Sequence, residues 1–441
     1  MTDFIFLMLV FSQTTAVVET DEIVTTCEPP NNGAGPFWCY GSPLIVRYKD
    51  DVFVSAMETG KDIPPLCNTR WRIFRKHKND NWQVMQVSEN FNQREPCPIA
   101  IFSDGRLFLS VNPSTQPVGT QYGECDPHLL EFSVKEPNKI SKKIHPVWDG
   151  EFLFTDHSYR GIAVDGDRGE ILLLNIHARS GEQLYSYCNS DGKWIKSGRI
   201  EFPIRSCYPQ VALKNKSAHV LAIGDIVEPV EEWRQYKFEK TKSGWDYVFR
   251  RLFYTWTPDI TKKDFSKTIE VDNLEATSGH INNLDLWIDN EGQAHLLYRK
   301  QTVQSDFMRD KFFPDTPINV SLEYVIIKNG EIIKKRTLLK GGEGESGVIP
   351  GYARFHIAKD NRLFVIYYCS GIDENGTQIS ENRLLQITPD ENNKAIKIPF
   401  EKPFGMFFSA IERGGTAPSD TIDLYGQGNG TELRYARIRI Q

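Results

Sequence analysis

The chain has 441 residues, of which 40% are hydrophobic, 12% aromatic and 25% charged, and its mean hydropathy is −0.43. This composition is typical of a soluble globular protein and excludes disorder over most of the chain. The 52 basic and 58 acidic side chains give a net charge of −6, and no long basic run is present, so nucleic acid is excluded as the expected partner.

The first predicted element is the apolar run FIFLMLVF, from Phe4 to Phe11, which small and polar residues follow as far as Ala16. The run is too short to cross a bilayer, so no membrane span is expected. It predicts a signal peptide over residues 1–18 and a secreted or periplasmic protein. Against this, Asp3 precedes the run without any lysine or arginine, and a buried N-terminal strand is the alternative.

Eight cysteines are present and none forms a CxxC pair, so the sequence supports neither a zinc ribbon nor a thioredoxin-like motif. Five lie within the first 125 residues, where one or two disulfides could form if the compartment is oxidising. The other three are expected to be small buried hydrophobic residues. They are Cys188, Cys207 and Cys369.

A turn of Asp, Asn or Gly followed by four to six apolar residues recurs along the chain, with successive starts 48 to 75 residues apart. The repeats are KDDVFVSAM from Lys49, SDGRLFLSV from Ser103, GDRGEILLLN from Gly166, KNKSAHVLAIG from Lys214, DNEGQAHLLYR from Asp289, KDNRLFVIYY from Lys359 and SDTIDLYG from Ser419. This is the period of a four-stranded blade with loops of uneven length.

Each apolar run predicts an inner strand covered on both faces by neighbouring blades, with a hairpin tip before it. No stretch carries a helical hydrophobic period over three turns. We therefore predict an all-β fold, a single seven-bladed β-propeller over residues 26–441, acting as a monomer. Closure of the ring would remove the exposed sheet edges of a long open sheet.

Propellers bind ligands at the central axis, where the loops entering the inner strands converge. The densest candidate region runs from Asp156 to Arg251. Within it, His157 and His177 flank one repeat, and each is followed within three residues by an arginine. Cationic and phenolic groups near an axis suit an anionic substrate. The predicted substrate-binding residues are Tyr159, Arg160, Arg205, Tyr208 and Arg354.

The segment EEWRQYKFEKTKSGWDYVFRR, which begins at Glu231, interrupts the β-rich chain with a long, charged and aromatic insertion. Loops of this length are usually functional or disordered, and the aromatic content argues against disorder. The alternative is a capping element of the propeller.

Four stretches resemble bacterial seven-bladed propellers with neuraminidase-type (BNR) repeats, a group that includes ulvan lyases, rhamnose-glucuronate lyases and α-L-rhamnosidases. They are GAGPFWCYGSPLIVR from Gly33, NTRWRIFRK from Asn68, EEWRQYKFEKTKSGWDYVFRRLFYTWTPDI from Glu231 and SGHINNLDLWIDNEGQAHLLYR from Ser278. Together with the repeats they cover most of the chain. The motifs are specific for the superfamily and not for the substrate.

The lyase branch of this resemblance implies β-elimination on a uronic-acid-containing polysaccharide, with no cofactor required. By position, the catalytic roles carry over to two histidines, a tyrosine and an arginine. These are His157, His177, Tyr236, and Arg250 or Arg251, with Tyr247 and Tyr208 as alternatives for the tyrosine.

Two other functions stay open. The first is an α-L-rhamnosidase-like glycoside hydrolase, an interpretation that is less favoured because Tyr40 stands where those relatives have a histidine. The second is a propeller that binds a glycan without cleaving it and therefore needs no catalytic residues. A sialidase is disfavoured, because NSDGKW from Asn189 only hints at an Asp-box and no FRIP-like arginine motif is present.

His280 and His295 lie around a predicted strand-turn-strand, so they could meet across a hairpin. Some relatives hold a structural metal with histidines and a cysteine, which the resemblance extends to this pair as a hypothesis. A structural zinc site has four ligands, and here Gln293 stands where a third ligand would be expected. Core or hydrogen-bonded histidines are the alternative.

Overall fold

The computed structural model describes residues 14–150, 154–177, 180–389 and 394–441. The apolar run from Phe4 to Phe11, on which the predicted signal peptide depends, lies outside the described residues. No helix in the described ranges is long and apolar enough to cross a membrane.

The described chain forms seven four-stranded antiparallel sheets, the blades of a seven-bladed β-propeller, and so confirms the predicted fold. The N-terminal strand is β1 (Ala16–Thr26). Blade 1 holds β2 (Ile45–Tyr48), β3 (Asp51–Thr59), β4 (Thr69–His77) and β5 (Gln83–Val87). Blade 2 holds β6 (Ile99–Ile101), β7 (Arg106–Val111), β8 (His128–Ser133) and β9 (Glu136–Ile144). Blade 3 holds β10 (Gly161–Asp165), β11 (Glu170–Ile176), β12 (Gln183–Cys188) and β13 (Trp194–Ile200).

Two of the remaining blades carry insertions. Blade 4 holds β14 (Ser206–Lys214), β15 (Ser217–Gly224), β18 (Arg251–Thr257) and β19 (Ile269–Asn273), with β16 (Ile226–Val227), α1 (Glu231–Thr241) and β17 (Tyr247–Val248) inserted between its second and third strands. Blade 5 holds β20 (His280–Ile288), β21 (Ala294–Gln301), β22 (Asn319–Lys328) and β23 (Glu331–Gly342), with α2 (Asp306–Phe312) inserted likewise. Blade 6 holds β24 (Val348–Ile357), β25 (Leu363–Ile372), β26 (Gln378–Thr388) and β27 (Ile396–Lys397). Blade 7 holds β28 (Phe407–Ser409), β29 (Thr421–Gln427) and β30 (Glu432–Ile440) together with β1.

The first strands of successive blades contact one another around the ring and therefore line the axis. All seven predicted apolar runs fall on the second strand of a blade, from β3 in blade 1 to β29 in blade 7. These strands are buried along most of their length, because each sheet packs between two neighbours.

Blade 7 is completed by the N-terminal strand. β1 pairs antiparallel with β30 from Ala16 opposite Ile440 to Thr26 opposite Glu432, so the two ends of the chain close the ring in one sheet. Arg434 on β30 donates to both carboxylate oxygens of Asp21 on β1, at 2.6 and 2.7 Å from Nη2. Closure in this way leaves no blade without neighbours on both sides.

The sequence predicted neither helix, and α1 is the longer of the two. Most of its residues are exposed, so it lacks the apolar stripe from which a helical period is recognised. Glu231 and Glu232 in its first turn and Lys240 in its last turn favour the helix through its dipole.

All eight cysteines are buried and free, including the five near the N-terminus for which disulfides were considered. These disulfides are therefore absent from the structure. The free thiols of Cys188, Cys207 and Cys369 agree with the prediction that these residues are small buried hydrophobic groups.

Neighbouring residues on β1 allow a test of closure. Val24 is 8% exposed and packs between blades 7 and 1, whereas Ile23 is 51% exposed on the opposite face. Val24→Ala removes two buried methyl groups and should lower the free energy of unfolding by about 1.5 kcal/mol. Ile23→Ala is the control and should change it by less than about 0.5 kcal/mol. Urea unfolding measures both, and equal effects would contradict a closing role for β1.

Candidate functional site

An aromatic cavity opens where the first strands of the blades begin and the second strands end. Its volume is about 570 Å³. Its aromatic wall consists of Phe37, Trp38, Tyr40, Tyr208, Trp245 and Phe249. Its lining residues with other polar side chains include His280, Asn282, Gln427, Thr431 and Glu432. We call this space the mouth cavity. Aromatic faces of this kind suit the apolar faces of sugar rings.

The segment before β2 crosses the mouth of the axis and supplies part of the cavity wall. Tyr40 stacks on Tyr208, with ring centroids 4.8 Å apart and planes inclined by 21°. Between them the backbones approach closely, because a Cβ atom on Gly41 would lie 2.3 Å from the carbonyl oxygen of Pro209. Glycine is therefore required at position 41 for this contact.

Three tyrosines near the mouth have left-handed backbone conformations, with φ of 54° at Tyr122, 42° at Tyr159 and 48° at Tyr208. Positive φ is unfavourable for a bulky residue and is found mainly where the surroundings enforce it, often at functional sites. Tyr208 lies in a β-bulge of β14, between Cys207 and Gln210, which redirects its side chain. The rings of Tyr159 and Tyr208 contact edge to face, at 4.8 Å between centroids.

His157 lies beside this pair, with its ring centroid 4.4 Å from that of Tyr159. Arg94 donates from Nη1 to His157 Nδ1 at 3.1 Å, so Nδ1 is an acceptor and the proton of the neutral ring is on Nε2. Nε2 is buried without a hydrogen-bond partner among the described residues. Burial lowers the pKa of His157 to about 4; Glu95 opposes this effect, and Arg94 and Arg205 add to it. His157 is therefore a neutral donor at physiological pH.

An ion pair between Arg205 and Asp225 completes this cluster. The Arg205 guanidinium lies over two rings, 5.4 Å from the centroid of Tyr159 and 5.8 Å from that of Tyr247. Burial raises the pKa of Asp225 above its ordinary value, although Arg205 acts in the opposite direction. The structure thus brings together four residues that the sequence analysis selected: His157, Tyr159, Arg205 and Tyr208.

His280 lines the mouth cavity and does not share a site with His295. In the β20–β21 register His280 is opposite Gln301, whereas His295 is opposite Trp287 near the other end of the pair. His295 contacts the Tyr324 hydroxyl at 2.6 Å and an Asp289 oxygen at 3.2 Å. The two histidines do not form the metal site that the sequence suggested, because seven residues of extended chain separate them.

The ring of His280 is neutral and available. Its centroid is 5.8 Å from that of Phe249, and no described residue forms a hydrogen bond with its nitrogens. Burial lowers the pKa of His280 to about 4, and Arg299 and Arg250 act in the same direction.

The other four predicted catalytic residues form their contacts outside the cluster of His157, Tyr159, Arg205 and Tyr208. His177 follows β11 at the same face as His157, and its Nδ1 accepts from the backbone N–H of Ser180 at 3.1 Å. Tyr236 packs between α1 and α2, against Phe307 and Phe312. Arg250 is buried in an ion pair with Glu228 at 2.5 Å, and Arg251 pairs with Glu270 at 2.7 Å. These contacts do not bring Tyr236, Arg250 or Arg251 to the His157 cluster.

Two of the predicted substrate-binding residues donate hydrogen bonds to backbone carbonyl oxygens. Arg160 donates to the carbonyl oxygens of Ser110 at 2.6 Å and Pro96 at 2.9 Å. Arg354 is 1% exposed and donates to the carbonyl oxygens of Leu284 and Tyr40. Both guanidinium groups stabilise the axis and are not open to a ligand.

Sequence reasoning missed several residues of this region. Trp38 lies far along the chain from the other site residues, and Arg94 and Asp225 lie in loops between the repeats. Tyr40 was named in the sequence only as the counterpart of a histidine. One signal was present for Arg94 and Asp225. Arg94 precedes the first strand of blade 2 and Asp225 follows the second strand of blade 4, and such positions reach the mouth.

No protein-family model matches the sequence, and no curated protein is significantly similar to it. Among solved structures, the chain is similar to the Penicillium chrysogenum α-L-arabinanase complexed with arabinobiose, at 11% identity and a TM-score of 0.44 over 96% of this chain and 98% of that one. The GH93 α-L-arabinofuranosidase of Fusarium graminearum is 10% identical, with a TM-score of 0.42 over 77% and 92%. Trypanosoma rangeli sialidase is 13% identical, with a TM-score of 0.40 over 85% and 59%. Similarity this weak carries no information on catalytic residues or substrate.

The buried neutral histidines predict a pH dependence of stability. His157 and His280 have folded-state pKa values of about 4, whereas an unfolded histidine titrates near 6.5. Between these pH values the unfolded chain binds more protons, so the free energy of unfolding should fall as the pH drops from 6.5 towards 4. Urea unfolding at a series of pH values measures this slope. His157→Gln should make the slope shallower, and an unchanged slope would show that His157 is not held neutral.

Proposed function

We propose that the protein is a polysaccharide lyase that cleaves a uronic-acid-containing glycan by β-elimination at the mouth cavity. The observation that carries the proposal is the strained pair Tyr159 and Tyr208, which joins an aromatic cavity containing a neutral His280 to the His157 and Arg205 cluster. Backbone strain maintained beside such groups is typical of a preorganised site.

Elimination requires the substrate carboxylate to be neutralised, because the proton at C5 is otherwise only weakly acidic. Arg205 is the proposed partner of this carboxylate. Asp225 accepts from its Nη1, so the substrate would approach the other nitrogens of the guanidinium, whose side chain is 22% exposed at the rim formed by Tyr159 and Tyr247. The Nε2–H of His157 and the indole N–H of Trp38 are buried donors without partners in the described chain, in rings whose centroids are 6.4 Å apart. An incoming carboxylate would satisfy donors of this kind.

The proton transfers need a base near C5 and an acid at the leaving oxygen. We assign the base to His280, whose neutral ring is not hydrogen-bonded and takes the C5 proton. We assign the acid to Tyr208, because burial raises its pKa well above the ordinary value and keeps the hydroxyl protonated. Its proton goes to the glycosidic oxygen as the bond to C4 breaks and the C4–C5 double bond forms.

The small number of carboxyl groups that line the mouth cavity supports elimination over hydrolysis. Most glycoside hydrolases use two carboxyl groups that flank the scissile bond. Among the described residues that line the mouth cavity, Glu432 is the one acid. Asp156 and Asp225 nearby are already paired with Arg94 and Arg205.

Substitution of the two tyrosines tests the assignment. The Tyr208 hydroxyl forms no hydrogen bond with the described chain, so Tyr208→Phe should keep the ring packing and reduce turnover by about 10² or more, with substrate affinity nearly unchanged. Tyr236→Phe is the matched control and should retain activity, because its ring packs between two helices. Ultraviolet absorbance of the unsaturated uronate product follows turnover on a panel of uronate polysaccharides.

Three results would contradict parts of the proposal. Loss of activity only in Tyr236→Phe would return the catalytic role to Tyr236. New reducing ends without the unsaturated product would indicate a hydrolase. Binding of a uronate glycan without cleavage by the unsubstituted protein would leave a glycan-binding propeller.

A further inference from the structure

A second cluster of ligating side chains lies on the outer part of blade 2, away from the mouth cavity. It consists of Asp126 and His128 at the start of β8 and His145 just after β9. Each offers one ligand atom, and these atoms all lie within 4.8 Å of one another. No other group of this kind is found among His, Cys, Asp and Glu side chains in the described ranges.

Strand geometry explains why the three side chains meet. Leu129 on β8 is opposite Ile144 on β9, so the next pair along is His128 and His145, and their ring centroids are 5.2 Å apart. Asp126 precedes His128 by two residues, a spacing that returns to the same face in extended chain.

The distances approach those of a metal site. His128 Nδ1 is 3.3 Å from Asp126 Oδ2, and His145 Nδ1 is 3.2 Å from Asp126 Oδ1. Ligand atoms around a tetrahedral Zn²⁺ are about 3.3 Å apart, since each is about 2.0–2.1 Å from the metal. Small rotations of the Asp126 carboxylate and the exposed His145 ring would bring one oxygen and two nitrogens around one ion.

We propose that Asp126, His128 and His145 bind a divalent transition-metal ion, with Zn²⁺ as the best fit. Two imidazoles and one carboxylate match its preference for nitrogen ligands, and a water molecule would complete the tetrahedron. Mg²⁺ and Ca²⁺ prefer all-oxygen sites and should not bind here.

Two groups compete with the metal for these atoms. His128 Nδ1 contacts the backbone carbonyl oxygen of Asp126 at 2.7 Å, so it carries the ring proton in this arrangement. Transfer of that proton to Nε2 frees Nδ1 without a change in charge. Lys143 donates to Asp126 Oδ2 at 3.1 Å, and its side chain is 49% exposed and can turn into solvent.

A metal at this position would link the start of β8 to the point where the chain leaves blade 2. The chain continues from His145 into the segment that carries His157 and Tyr159. The ion would therefore join the start of β8 to the end of β9, in the manner of a structural metal.

The test is titration of the full protein, free of any polyhistidine tag and treated with EDTA and dialysed, with ZnCl₂ in a calorimeter. The unsubstituted protein should bind Zn²⁺ and gain thermal stability. His145→Gln should weaken binding about tenfold or more and abolish that gain, and it should fold because His145 is 54% exposed. His77→Gln is the matched control, since His77 pairs with Asp51 at 2.8 Å and lies outside the cluster, and it should bind as the unsubstituted protein does.

Lys143→Met provides a second, opposite test. Because it removes the cation that competes for Asp126, this variant should bind Zn²⁺ more tightly than the unsubstituted protein. Equal affinity in the unsubstituted protein and His145→Gln, or weaker binding in Lys143→Met, would overturn the proposal. Equal heats with MgCl₂ and ZnCl₂ would do the same.

Discussion

Buried arginines at the axis hold the segment that crosses the mouth, and the candidate site depends on this interaction. Arg354 donates to the carbonyl oxygen of Tyr40, and Arg413 donates to that of Gly41. Both guanidinium groups are buried, and Arg413 also pairs with Asp285 at 3.2 Å. A crossing segment has no sheet partner for its carbonyl groups, so charged donors from β24 and from the turn between β28 and β29 satisfy them.

The position of this segment has two consequences for the site. It places the Tyr40 and Trp38 rings against Tyr208 and Tyr159, which confines the two tyrosines in their left-handed conformations. It also covers His157, whose burial lowers its pKa and keeps the ring neutral. The residues before blade 1 thus pack on two tyrosines with strained backbone conformations and on the buried His157, all in blades 3 and 4.

The fold was predictable because each blade repeats one local pattern. A polar turn followed by a buried strand recurs seven times, and every copy lies on the second strand of a blade. The members of the His157 cluster could be predicted in the same way, because they lie beside or on the first strands of adjacent blades. They are His157, Tyr159, Arg205 and Tyr208. Short-range position relative to a repeat therefore identifies residues that reach the axis.

Residues whose position depends on long-range contacts were not predictable. Arg250 resembles a free cation in the sequence, but Glu228, 22 residues earlier, neutralises it in the folded chain. The pairing of His280 with Gln301 depends on the register of a hairpin, and the bulge between Asn283 and Asp285 shifts that register. Such partners become visible only when strand pairing is known.

The insertion in blade 4 contributes aromatic side chains to the mouth cavity. Its helix α1 packs on α2 through Trp233 and Tyr236, which positions the return segment that follows. In that segment Trp245 lies nearly parallel to Phe249, with centroids 6.2 Å apart, and forms one wall of the mouth cavity while remaining 63% exposed. Neighbouring exposed aromatic rings of this kind offer a surface on which a ligand can stack. The insertion therefore extends the aromatic surface of the mouth cavity, whereas the two residues proposed for proton transfer, His280 and Tyr208, lie on the blade strands β20 and β14.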